Sequence, residues 1–142
     1  MAKQVNVFAQ NQPGRLERLT EVLLEEGINI RAITISGAEE YGVVKLLVDD
    51  PRKAFDALRR EGFSAYLKEV IAVIMDDRPG GLHRVCRVLG DSGVNIEDAY
   101  GFVFQDRKTA ILVVEVDRLP EAEDILRSRG LELLSDEELY SL

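Results

Sequence analysis

Only a few residues of this 142-residue chain have the type and spacing for chemistry, and the set is narrow. There is one histidine, His83, and one cysteine, Cys86. One of each cannot complete a His/Cys zinc set, and a lone cysteine forms no internal disulfide. A Ser-His-Asp or Cys-His triad would have to be built on His83. The adjacent carboxylates Asp76 and Asp77 attract cations, but no third ligand stands beside them in the sequence. Arg78 suits a ligand carboxylate and equally suits a solvated surface charge. Polar residues also flank two Pro-Gly steps, in Asn11-Gln12-Pro13-Gly14 and Asp77-Arg78-Pro79-Gly80. Two further asparagines, Asn29 and Asn95, follow a glycine by two positions. Asn at such a corner either turns the chain or presents an amide to a ligand. Asn11 and Asp77 likewise fit helix caps or ligand contacts.

Eighteen basic against 26 acidic residues give a formal net charge of −8. That balance disfavours nucleic acid and anionic membranes as partners, because both are bound mainly through Lys and Arg. No apolar run approaches the ~20 residues of a membrane span, and the first residues do not read as a signal peptide. A cytoplasmic protein without a bound cofactor or metal is the expectation.

These polar sites occur in pairs because the sequence is duplicated. Residues 13 to 30 read PGRLERLTEVLLEEGINI, and residues 79 to 96 read PGGLHRVCRVLGDSGVNI. Nine of the 18 positions are identical at an offset of 66, Arg18/Arg84 and Asn29/Asn95 among them. Farther on the offset is 68, pairing Ala54 with Ala122, Leu58 with Leu126 and Gly62 with Gly130. The two added residues fall near Gln105-Asp106-Arg107-Lys108, as a longer hairpin tip. Two domains are expected, 1–68 and 69–142.

Each copy must then supply the elements that position these residues. Val5, Val7 and Ala9 alternate with Gln4, Asn6, Phe8 and Gln10, the pattern of a strand with a polar outer face. The Pro-Gly step breaks it, with Pro13 in the first helical turn. Leu16, Leu19 and Leu23 mark the first helix, stopped by Gly27. Ile28 to Ser36 and Val43 to Val48 read as strands around a turn. Asp50 and Pro51 start a second helix that Gly62 ends, and Phe63 to Lys68 reads as a fourth strand. The order is βαββαβ, repeated in the second copy. The fold class is α+β: two ferredoxin-like domains in tandem, each an antiparallel sheet with helices on one face. Val70 to Met75 is apolar on both sides and predicts a strand buried on both faces. Cys86 is expected in the core, His83 in solvent. Ser135-Asp136-Glu137-Glu138 predicts a capping box for a short terminal helix, 136 to 141.

The P-G-x-L step after the first strand and the G-[IV]-N-I that opens the second resemble the ACT domain, a family of small-molecule sensors. More narrowly, the chain resembles stand-alone tandem ACT proteins. The resemblance implies a non-catalytic regulator that binds a free amino acid and signals allosterically to a partner in amino-acid metabolism. It also implies a homodimer joined through its sheets. The family's site lies between the loop before the first helix and the second-strand region of a neighbouring domain. By position, that implicates Asn11, Gln12, Gly14, Asn29 and Ile30 in copy one. In copy two it implicates Asp77, Arg78, Gly80, Asn95 and Ile96. The helix N-terminus would meet the ligand carboxylate, and a glycine without Cβ would permit close approach. Serine-sensing members carry a polar residue four before the proline, where this chain has Ala9 and Met75. That departure speaks against serine in particular and leaves a generic backbone-plus-Asn site for an amino acid.

Two other function classes compete. An interaction module of the same fold without ligand would keep the elements and lose the pocket. Enzymes and metal carriers on this topology need a basic phosphate loop or a Cys-x-x-Cys after the first strand, and neither copy has one. RNA-binding relatives need aromatic, basic central strands, which Val43 to Val48 and Ala110 to Val116 do not supply.

Overall fold

A computed structural model of the chain describes residues 2–104 and 108–142, so most of the expected longer hairpin tip lies outside the described residues. Two compact units result, one of Lys3–Lys68 with Tyr140–Leu142, the other of Glu69–Leu139 with Ala2.

In the first unit, Val5, Val7 and Ala9 form the inner row of β1 (Ala2–Gln10). Next come α1 (Arg15–Glu25), β2 (Ile30–Ala38), β3 (Tyr41–Val48), α2 (Pro51–Arg60) and the first residues of β4 (Ser64–Asp76). The strand order is β2-β3-β1-β4. Leu19, Val22 and Leu23 of α1 and Ala54, Ala57 and Leu58 of α2 pack on Val44, Leu46 and Val48. Asp50 caps α2, its Oδ1 accepting from the Lys53 amide at 3.1 Å, with Pro51 as the first helical residue.

The outer row of β1 departs from expectation. Gln4 and Asn6 are buried, at 0% and 2% exposure. Burying an amide without a partner is unfavourable, and these amides are paired. Gln4 Nε2 donates to Asn6 Oδ1 at 2.8 Å, and Asn6 Nδ2 donates to the Tyr66 hydroxyl at 3.2 Å.

The second unit repeats the plan with the rest of β4, α3 (Gly81–Asp91), β5 (Ile96–Val103), β6 (Thr109–Val116) and α4 (Leu119–Ser128). β4 pairs antiparallel with β6, and β6 with β5. Val70 to Val73 are all buried, while Ile74 and Met75, expected to be buried as well, are half-buried. The expected fourth strand is reduced. Leu133 makes one antiparallel bridge to Val73, flanked by hydrogen bonds from Ile74 N to Glu132 O and from Leu134 N to Ala72 O. The chain then turns into α5 (Asp136–Tyr140), so no long strand follows. The capping box forms: Glu138 N donates to Ser135 Oγ at 3.1 Å, and Ser135 N to Glu138 Oε1 at 3.2 Å. Leu139 seats α5 with no exposure.

Cys86 is exposed, against expectation. The buried stripe of α3 is Gly81, Val85, Val88 and Leu89. Cys86 lies about 100° around the helix from Val85, beyond that stripe. His83 is exposed, as expected.

Candidate functional site

The Pro-Gly steps do not start the helices. Arg15 N donates to Gln12 O at 3.2 Å and Gly81 N to Arg78 O at 3.0 Å, each closing a four-residue turn. Gly14 (φ 84°, ψ −10°) and Gly80 (φ 91°, ψ −12°) hold its third position. That is type II geometry, with proline at the second position and a residue of positive φ at the third. Pro13 and Pro79 therefore precede their helices rather than entering them. Nothing lies within 4 Å of where a Cβ would sit on Gly14 or Gly80. The glycines are set by backbone angle, not by crowding. Each turn takes up the first amide of its helix, and no side chain caps the amides after it, which keep the positive dipole end of α1 and α3.

In copy one this end borders a cavity of about 170 Å³, between β1, α1 and the β2–β3 hairpin. Asn11, Gln12, Arg15 and Leu16 line it from one side, Ile35 and Gly37 from β2. Such a volume falls below the ~300–1,000 Å³ of drug-sized sites and suits a small metabolite. Asn11 also braces the hairpin. Its amide N donates to Glu40 O at 2.8 Å and its Nδ2 to Glu39 O at 3.1 Å. Glu39 needs the support, because its φ of 58° is left-handed.

Arg15 was not singled out in the sequence. Its guanidinium carbon lies 4.2 Å from the Phe63 ring centroid, and its buried Nε has no hydrogen-bond partner. An arginine held flat on an aromatic ring beside an uncapped helix end is disposed to receive an anion. The sequence signal was the asymmetry between copies: Arg15 aligns with Gly81.

Copy two treats the equivalent space differently. Ala9 is replaced by Met75, Ile35 by Gly101 and Val44 by Leu112. The Met75 Cε lies 3.6 Å from the place of a Cβ on Gly101, and Leu112 Cδ1 lies 3.8 Å from it. The methionine thus reaches the place that the Ile35 side chain takes in copy one. Asp77 N donates to Lys108 O at 2.9 Å, and Arg78 pairs with Asp76 at 3.1 Å while exposed.

Asn29 and Asn95 sit elsewhere. Each locks the start of its second strand: Asn29 N donates to Asp49 Oδ1 at 3.1 Å, and Asn95 N to Asp117 Oδ1 at 3.1 Å. The Asp49 and Asp117 amides return the bond to the asparagine carbonyls. Ile30 and Ile96 pack against the two cores. A β-bulge follows in both copies, at Ile30/Ala32 and at Ile96/Asp98. Asn29 and Asn11 lie at opposite ends of α1, whose 11 residues span about 16 Å. Within one copy they do not meet.

Tyr100 of β5 is the one group whose acidity is clearly displaced among the described residues. Burial raises its pKa well above the usual phenol value, and the carboxylates of Glu115 and Asp98 raise it further. No group of three or more His, Cys, Asp and Glu is placed to hold a metal among the described residues. No described helix is long and apolar enough to cross a membrane.

The sequence matches the family model for an ACT domain pair over residues 1–142. No match to a curated protein was found. Among solved structures, protein BT0572 from Bacteroides thetaiotaomicron is 33% identical, with 99% of this chain and 96% of that one covered at a TM-score of 0.94. The regulatory subunit of aspartate kinase from Thermus thermophilus is 19% identical, with 89% of each chain covered at a TM-score of 0.68. The corresponding subunit from Thermus flavus is 19% identical, with 89% of this chain and 88% of that one covered at 0.61. The last two likenesses are of fold. A family model spanning every residue, on a duplicated βαββ plan with paired Pro-Gly turns, shows that this chain belongs to the ACT domain pair family.

Proposed function

We propose that the chain is a non-catalytic regulator that binds a free α-amino acid in the cavity of copy one and signals to a partner in amino-acid metabolism. One observation carries the reading: the cavity combines an uncapped helix end with an arginine whose buried Nε is unpaired. A carboxylate satisfies both. Asn11 Oδ1 and Gln12 Oε1 are the acceptors nearby for an ammonium. Asn29 and Ile30 enter such a site only from a neighbouring domain, which accords with the expected pairing of two chains through their sheets. The equivalent set in copy two, Asp77, Arg78, Gly80, Asn95 and Ile96, lacks the arginine, because Gly81 stands where copy one has Arg15, and is assigned the weaker role. The cytoplasm is the proposed location.

The competing reading, an interaction module without ligand, draws on the apolar Ala9 and Met75 four before each proline. A thermal-shift screen of the full chain against the twenty amino acids separates the two. A ligand at 100 times its dissociation constant adds about 2.7 kcal/mol, a shift of about 5 °C or more at this size. A hit supports the sensor, and no shift with any amino acid rejects it.

A further inference from the structure

The acidic excess of this chain is not evenly spread. Residues 1–68 carry ten basic and ten acidic side chains, and residues 69–142 carry eight and sixteen. The whole net charge of −8 therefore lies in the second copy. Within the neutral first copy, α2 gathers four of the ten cations, Arg52, Lys53, Arg59 and Arg60, and all four are exposed. Asp56 is the one acid of that helix. It stands 3.4 Å from Arg52, with both side chains more than half exposed. Arg60 reaches Glu26 at 2.7 Å. Lys53 and Arg59 form no ion pair among the described residues.

Phe55 sits among these cations. The guanidinium carbon of Arg52 lies 5.3 Å from its ring centroid, and that of Arg59 lies 5.5 Å from it. The ring is half-buried and packs on the core of the first unit. Two like charges thus share one ring, each attracted to its π-electrons and each repelling the other. The fold does not require this. At the aligned places α4 has Pro120 for Arg52, Glu121 for Lys53, Glu123 for Phe55 and Ser128 for Arg60. Only Arg59 keeps a basic counterpart, Arg127, and that residue is paired with Glu123 at 3.2 Å. The same helix position forms without the ring and without the cluster, so packing does not account for either.

We propose that the exposed face of α2 docks an acidic segment of a protein partner, whose carboxylates meet Arg52, Lys53 and Arg59 around the Phe55 ring. Carboxylates there relieve the repulsion between the two guanidinium groups, and arginine and aromatic side chains are the types that anchor protein interfaces. From Arg52 to Arg60 the helix rises about 12 Å, the length of about four extended residues, so a short acidic run covers the patch. A nucleic acid fits it worse. Its charges continue past the patch onto a chain whose remaining net charge is negative. The inference deepens the proposed function by naming the chemistry of its partner, and it rests on that reading.

Amide NMR of the labelled full chain tests it, with capped hexaglutamate, capped hexalysine, sodium acetate and a single-stranded DNA hexamer as separate probes. Hexaglutamate should move the Lys53, Phe55, Arg59 and Arg60 amides saturably, more weakly as salt rises, and leave those of α4 in place. The other three probes should not move them. Arg52→Glu/Arg59→Glu should weaken hexaglutamate binding about tenfold or more, with an amide spectrum that remains that of the folded chain. Arg87→Glu, a charge reversal on the exposed side of α3, should bind as the native chain does, which separates the patch from net charge. No saturable response, an equal response to any other probe, normal binding by the double variant, or the same loss in Arg87→Glu would overturn the proposal. So would α2 amides that shift with protein concentration alone, because the occupant would then be a second copy. The Gly37 and Gly42 amides, titrated with the amino acids, report the copy-one cavity, so failure of that reading is seen separately.

Discussion

At Asn11 one side chain is drawn two ways. Its Nδ2 holds the Glu39 carbonyl, and the residue lines the cavity. Asn11→Asp removes the donor and keeps an acceptor. It should cost about 1 kcal/mol of stability through the hairpin, measured by urea unfolding. At Asn29 and Asn95 the backbone, not the side chain, makes the bonds to Asp49 and Asp117. The double variant Asn29→Ala/Asn95→Ala should therefore keep its melting temperature within the small range of surface substitutions. Asp49→Ala should lower stability by about 1 kcal/mol. Tyr100 gives a pH prediction. Its folded pKa is raised, so its contribution is complete below the unfolded value of about 10 and is lost as pH rises beyond it. Tyr100→Phe should flatten the alkaline limb of the stability curve by up to about 1.4 kcal/mol per pH unit. The residue types flanking Pro-Gly were readable from the sequence, but what they touch was not. Arg15 escaped notice because an arginine in a first helical turn ordinarily reads as a solvated charge. Only the Phe63 ring, 48 residues away in sequence, gives it a fixed place.

At the scale of elements, periodicity carried most of the fold. The buried stripes of α1 and α2, the Asp50 cap and the terminal capping box all follow from local pattern. Three features did not. The Pro-Gly step read as a helix start because Pro favours both the first helical position and the second turn position, and glycine φ decides between them. Gln4 and Asn6 read as an outer polar row, and only their mutual bond and the Tyr66 hydroxyl explain their burial. The last strand of copy two shrank to one bridge because Ser135 starts a helix two residues after Leu133. Leu139 anchors that helix, so Leu139→Ala should destabilise by about 2–5 kcal/mol, the range for a fully buried leucine. Ser135→Ala should cost about 1 kcal/mol. Thermal unfolding checks both.

Over the whole chain, duplication was the strongest signal, and the ACT domain pair family rests on it. Identity between the copies built the frame, while the positions where they differ built the cavities. Ala9 against Met75 changes the wall beside the second strand, and Arg15 against Gly81 moves a cation out of the second copy and leaves a hollow behind. The sequence contained each difference, but which difference makes a void is a matter of packing in three dimensions. Met75→Ala should cost about 2 kcal/mol and enlarge the space beside Gly101, visible as altered Gly101 amide shifts.

The most direct test of the copy-one site is calorimetric titration of the full chain and of Arg15→Gln with the amino acid that gives the largest thermal shift. Loss of a charge-assisted contact predicts saturable binding by the native chain and about tenfold or more weaker binding by the variant, with its fold unchanged by circular dichroism. Equal affinity of the two proteins would contradict the account and place the ligand away from the end of α1.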